Sequence, residues 1–261
     1  THNVIYIKSR DFDIFYCQSP FIFNHIKIRN QSILKKEFQI PVLHNIPIEY
    51  FIEDLQRHIT HPKLISQGHN GTCGAAVLCK YIAEKHPDMY SEIATSLYHI
   101  GRHEATRLSL PSSMRHITHN DLEQAGISIV DAIMQGAITK SNNMILEYNP
   151  AKDMQGLKQG LQKFIAGMSS YMHLTYIWYF IKSKIKKDVR IIFLPSTKNL
   201  SNIDYCKNFV IALTHHKNWI FSLGIPNHYI QVIDAKNNKI KYWFHHIDHI
   251  HRLANDIDDI V

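Results

Sequence analysis

Gln67-Gly68-His69-Asn70-Gly71-Thr72-Cys73-Gly74 is the stretch from which both fold and chemistry are read. Glycine is scarce, ten in 261 residues, and three of the ten stand at 68, 71 and 74. Such a concentration marks backbone that must turn tightly or come close to a ligand. The loop runs straight into Gly74–Glu84 (GAAVLCKYIAE), apolar on nearly every side, which is the pattern of a buried helix. Cys73 is therefore expected at the mouth of an inner helix. There the macrodipole and the unpaired N–H groups favour a thiolate and lower the thiol pKa. The same N–H groups can stabilise an oxyanion.

Working outward, Ile48–Thr60 reads as a helix with Pro47 at its first turn, and His86-Pro87 breaks the helix that follows Cys73. Asp88–Ile100 is a second helix with Ile93, Leu97 and Ile100 on one face. Asn120 or Asp121 caps a further one, and Ile127–Thr139 is helical after Gly126. Asp153–Lys187 is helical by pattern, broken near Gly167–Ser170. Val4–Lys8 and Phe21–Ile28 read as short strands, and Val189–Leu194 as a strand ended by Pro195. Asp204–Leu213 is expected to be helical. His228–Ile233 and Ile240–His245, joined by a turn at Asp234–Lys239, read as a β-hairpin. Helices early and strands late predict an α+β fold with two lobes around one cleft. Residues 1–65 are expected to form an N-terminal extension of strands and a short helix, and 66–261 the domain that carries the chemistry.

Hydrophobic residues at 45% and charged residues at 20% describe a folded globular chain. The net charge of +7 suits an acidic partner. The basic residues are scattered, apart from Lys182–Lys187, without the aromatic interleaving of a single-strand groove, so nucleic acid is not supported. The apolar stretch Tyr171–Ile181 is too short for a transmembrane helix, and the start shows no signal peptide. Cys17, Cys73, Cys79 and Cys206 form no CxxC pair, which removes zinc-ribbon and thioredoxin-like readings and fits reduced thiols. Cys79, inside the buried helix, reads as core. No GxxxxGK loop is present, which disfavours nucleotide hydrolysis.

A thiolate nucleophile wants a base. His228 opens a strand just after Pro226-Asn227, a fixed edge from which an imidazole can point into a cleft. For a third member that orients His228, the hairpin places position 245 opposite 228. His245 is the first candidate, Asp248 stands just beyond, and Asp234 ranks last, roughly 20 Å along the strand from His228.

The run Gln67-Gly68-x-x-Gly71-x-Cys73-Gly74, a hydrophobic helix and then Asn227-His228-Tyr229 opening a strand resembles the papain-like cysteine peptidases. The resemblance implies a helical lobe carrying the Cys helix, packed against a small antiparallel sheet. It implies Cys73 as nucleophile, His228 as general base and acid, and Gln67 with the Cys73 N–H as the oxyanion hole. It needs no cofactor and no metal. Gly74 stands where true papains often carry an aromatic residue. Gly71–Ile100, opening Thr-Cys-Gly-Ala-Ala, also looks like papain-like toxin domains of secreted bacterial polypeptides. That likeness implies an effector delivered into the target-cell cytoplasm, a protein or peptide substrate, and a cognate acidic inhibitor or immunity protein. An amidase or deamidase acting on cell-wall peptide or protein glutamine is the alternative within the same chemistry. A metal-dependent nuclease using His245, His246, Asp248, His249 and His251 is the alternative outside it. His99 and His103 form a weaker potential metal pair, and a non-enzymatic binding module on the same scaffold is a further reading.

Overall fold

A computed structural model describes residues 2–8, 42–68, 70–142, 176–194, 203–205, 208–214, 228–236 and 239–243. The architecture is α+β. In chain order the main elements are β1 (His2–Lys8), α1 (Ile48–Thr60), α2 (Cys73–Lys85), α3 (Pro87–Ile100), the two-residue strands β2 (Arg102–His103) and β3 (Leu108–Ser109), α4 (His119–Ala125), α5 (Ile129–Asn142), β4 (Asp188–Leu194), β5 (Asn208–Thr214), β6 (His228–Lys236) and β7 (Lys239–Trp243). Residues 176–180 are helical and lead into a π-helical turn, Ile181–Ile185, which ends in a left-handed Lys186.

Helix α2 is the hub. Every residue from Cys73 to Ala83 is buried, and the helix packs against α1, α3, α5 and β6. Its alanines let those neighbours approach closely, and the apolar burial stabilises the arrangement by about 25 cal/mol per Å². Helix α1 buries Phe51, Asp54, Leu55 and His58, the stripe of a helix facing a core, but two of the four are ionisable. The Phe51 and Tyr98 rings stack with centroids 4.3 Å apart and join α1 to α3. Pro87 opens α3 and Gly101, at φ +75°, ends it. The cap of α4 is Thr118, in a reciprocal capping box with Asp121, not Asn120 or Asp121 itself.

The main sheet has the order β4-β1-β5-β6-β7, and every pair in it is antiparallel. Two sequence expectations change here. Asp204–Leu213 is not a helix, because Asn208–Thr214 is a strand between β1 and β6. Phe209, Val210 and Ile211 are all buried, and a strand covered on both faces shows a continuous apolar run without alternation. Residues 1–65 also do more than extend a domain. β1 pairs with both β4 and β5, and α1 supplies part of the shared core. Phe21–Ile28 and residues 153–175 of the long helical pattern lie outside the described residues.

The hairpin β6–β7 is present, with Lys236 opposite Lys239. A bulge between Val232 and Asp234 shifts its register, so Gln231 faces Trp243. Lys80, 3% exposed, fastens the middle of α2 to this sheet. Its ammonium donates to Glu84 and to Gln231 Oε1 and lies over the rings of Phe209 and Trp243, 5.8 and 5.4 Å from their centroids. The Trp243 indole N–H donates to the Lys63 carbonyl at 3.0 Å, tying β7 to the segment that precedes the glycine-rich loop. Among the described residues no helix is long and apolar enough to cross a membrane.

The glycines of the loop differ in what they do. Gly68 has φ +58°, and a Cβ there would lie 2.5 Å from the Ala125 carbonyl oxygen and 2.6 Å from that of Gly126. At Gly71 a Cβ would meet nothing within 4 Å. Gly68→Ala is expected to lower unfolding free energy by about 2–4 kcal/mol, whereas Gly71→Ala stays within about 0.5 kcal/mol of the wild type. Urea denaturation of the two variants checks this, and equal effects would contradict the placement of the loop against residues 125–126.

Candidate functional site

The site is built where α2 begins. Cys73 is its first residue and is 7% exposed. The backbone N–H groups of Tyr229, Gly74 and Cys73 lie near enough to the Cys73 sulfur to favour its thiolate. Tyr229 is the second residue of β6, and His228 is the first. The thiol on one element thus touches the opening of a strand 155 positions downstream (228 minus 73). Thr214 lies across the ladder from His228, and Leu213 from Tyr229. The His228 side chain, His245, Asp248 and the remainder of the 245–251 run lie outside the described residues. Asp234 is within β6, opposite Lys241 and past the bulge.

The ionisation of Cys73 departs from the sequence expectation. Burial pushes the thiol up to about 11, and the three N–H donors offset only part of that rise. A helix N-terminus lowers a thiol pKa when water or a cation also reaches it, and at this degree of burial desolvation wins. A thiolate at this position would require a cation against the sulfur to offset the burial. Cys79 is fully buried and pushed up well above its ordinary value by burial and then by Asp131, the behaviour of a core thiol. Both cysteines are unpaired by disulfide; Cys17 and Cys206 lie outside the described residues.

Gln67 is half-buried and its Oε1 has no hydrogen-bond partner. Asn70, 1% exposed, likewise leaves both Nδ2 and Oδ1 without partners. Its backbone N–H donates to the Gln67 carbonyl at 3.2 Å, closing a small turn. Buried amide atoms left unpaired cost about 1–3 kcal/mol each, and three of them fall within the loop 66–72.

Behind the loop stands a polar cluster that sequence reasoning missed. His58 is fully buried. Its Nδ1 lies 3.2 Å from the Tyr90 hydroxyl, and its Nε2 lies 3.6 Å from Asp54 Oδ1 and 3.4 Å from Asp131 Oδ2. Asp54 accepts from Arg57 at 2.5 Å and from the Val130 N–H at 2.9 Å. Asp131 Oδ2 accepts from the Ser66 N–H at 2.9 Å and the Ser128 hydroxyl at 3.2 Å. Burial raises Asp131 to about 6; the His58 ring pulls it down and Asp54 pushes it up again. The pattern Ile129-Val-Asp131-Ala-Ile-Met-Gln135-Gly-Ala-Ile holds the signal for part of this cluster. Two polar residues four apart in an otherwise apolar helix must face a polar partner inside the fold.

A cavity of about 440 Å³ lies next to this cluster, lined by Tyr50, Asp54, Arg57, Ser66, His119 and Asp131 among others, but by neither Cys73 nor Gln67. It is separate from the thiol. No group of three or more His, Cys, Asp and Glu among the described residues can hold a metal ion. His99 is in the last turn of α3 while His103 is in β2, so the two do not share a helix face. Comparison of the chain with protein-family models, curated proteins and solved structures finds no match.

The Asp131 value has a sign that can be checked. A carboxyl raised from 3.8 to about 6 on folding binds more protons folded than unfolded between those values, so its contribution to stability falls as pH rises from about 4 to about 6 and is level above. The stability of Asp131→Asn relative to wild type is expected to rise across that window and then stay constant, as measured by denaturant midpoints at each pH. A difference that does not vary with pH, or that runs the other way, contradicts the burial of the carboxyl.

Proposed function

We propose that the protein is a papain-like cysteine hydrolase that cleaves amide bonds in a protein or peptide substrate. The observation that carries this reading is the approach of the Tyr229 N–H to the Cys73 sulfur where α2 packs on β6, which sets the first residue of a buried helix against the residue that follows His228. The quoted resemblance, Gln67 six residues before the cysteine and a histidine opening a distant strand, supports it from the sequence side.

In the proposed reaction the Cys73 sulfur, deprotonated by the His228 imidazole, attacks the carbonyl carbon. The carbonyl π electrons move onto oxygen, where the Cys73 N–H and the Gln67 side-chain amide donate hydrogen bonds. The oxyanion collapses, the C–N bond breaks, and the imidazolium returns its proton to the leaving nitrogen, leaving a thioester. Water then attacks the thioester, giving its proton to His228, and the carboxylic acid departs as the thiol is restored. His245 or Asp248 is proposed to orient the imidazole. An imidazolium beside the sulfur supplies the charge that burial denies the thiolate.

On the toxin-domain likeness, we propose a delivered bacterial effector as the biological setting, with a cognate acidic inhibitor matched to the +7 chain. An amidase or deamidase uses the same thiol and the same acyl transfer and differs in the substrate alone.

The test is the pH profile of Cys73 alkylation by iodoacetamide, read by peptide mass spectrometry, beside turnover of a peptide library. The reading expects a reactive limb well below 11 in the wild type and its displacement upward in His228→Ala. It also expects turnover in Cys73→Ala to fall by about a thousandfold or more. Turnover that survives Cys73→Ala, or that disappears in EDTA with Cys73 unmodified, overturns it.

A further inference from the structure

We propose that Asp131 and Gln135 on α5, acting with Thr72, are positioning residues that hold both ends of the loop 66–72 and thereby set the Cys73 sulfur and the N–H groups around it. This rests on Cys73 being the nucleophile of the reading above.

The loop is fastened at its two ends and from one helix face. At the first end the Ser66 N–H donates to Asp131 Oδ2 at 2.9 Å, and the Ser66 carbonyl accepts from Gln135 Nε2 at 2.9 Å. At the last end the Thr72 hydroxyl donates to Gln135 Oε1 at 2.6 Å. Gln135 Nε2 also donates to Asp131 Oδ1 at 3.1 Å. The three side chains are at most 2% exposed. The orientation of the Gln135 amide is fixed by these bonds: its nitrogen faces two acceptors and its oxygen faces a donor. Reversing it would set N–H groups where the Thr72 hydroxyl donates and an oxygen against a carbonyl and a carboxylate.

Thr72 breaks a local rule in a way that matters here. It is the N-cap residue of α2, yet its side chain makes no capping bond to that helix. A threonine there ordinarily accepts from an N–H in the first turn, which stabilises by about 1 kcal/mol. In this chain the hydroxyl is turned away to Gln135 and occupies none of the first-turn N–H groups of α2. An oxyanion hole at a helix mouth needs first-turn N–H groups that no side chain has occupied. Between the fastened ends, the Gln67 Oε1 and the whole Asn70 amide remain without partners. Full satisfaction at the anchors beside unsatisfied groups at the centre is the arrangement of a held, pre-formed site rather than of an ordinary turn.

The test compares Thr72→Val, Thr72→Ser and Gln135→Leu with the wild-type chain. It reads the second-order rate of Cys73 carboxamidomethylation at about pH 8, with modification of the buried Cys79 as the report of unfolding, and kcat and KM on any peptide found to turn over. Thr72→Val and Gln135→Leu are expected to slow Cys73 modification, and to lower kcat at little changed KM, by about tenfold to a hundredfold. Thr72→Ser is expected to restore the rate. If Gln135→Leu does not fold, the Val and Ser pair at position 72 decides. Cys73 modification within about twofold of wild type in Thr72→Val, with only the melting temperature lowered, overturns the proposal, and so does Thr72→Ser as slow as Thr72→Val. A wild-type protein that turns over no amide, while Thr72→Val still slows Cys73 modification, sinks the hydrolase reading and leaves the positioning role standing.

Discussion

The contact between the mouth of α2 and the opening of β6 is the constraint on which the rest of the molecule depends. The Tyr229 N–H comes close to a buried thiol, and seven residues further along the same helix the Lys80 ammonium reaches Gln231 on the same strand. Two attachments about two helical turns apart fix both the position and the direction of α2 on the sheet. Because residues 73–83 are buried on every side, a shift of this helix would disturb α1, α3, α5 and β6 together. Close packing transmits such a shift instead of absorbing it. Cys73 therefore stands at the end of a helix enclosed by its neighbours.

The cost of that rigidity is chemical. Burial that holds the sulfur still also opposes its ionisation, and a thiol pushed up to about 11 is inert near neutral pH unless a cation lies against it. In the proposed reaction the sulfur is silent by itself and becomes reactive through the imidazole brought against it. The polar cluster behind the loop works in the same medium. Asp54 and Asp131 stay inside the core because each accepts backbone N–H groups there, while His58 meets the Tyr90 hydroxyl through Nδ1 and faces the two carboxylates with an Nε2 that makes no hydrogen bond.

Much of this was legible in the sequence, and the reasons are particular. The glycine concentration at 68–74 and the apolar run after it announced α2 and the placement of Cys73. Pro47 and His86-Pro87 marked helix boundaries that the structure keeps. The hairpin was legible because β6 and β7 carry β-branched and aromatic residues around a polar turn. β5 was misread because a central strand buried on both faces loses the alternation that identifies strands. The role of β1 in the sheet centre was invisible, since pairing with β4 and β5 joins residues about two hundred positions apart. Asp54, His58, Asp131 and Gln135 escaped notice for another reason: polar residues on helices read as solvent-facing unless their spacing is set against the apolar face they interrupt. The raised Cys73 pKa was unforeseeable from the helix mouth alone, because it depends on how much protein covers the sulfur.

The most direct measurement is the separation of the Cys73 sulfur and the nearer His228 ring nitrogen in an experimental structure of the full chain. A separation within about 4 Å, allowing for loose geometry without substrate, is what a thiol activated by that imidazole requires. An imidazole turned to the opposite face of β6, with no other cation beside the sulfur, would leave a buried, un-ionised cysteine and contradict the proposal at its root.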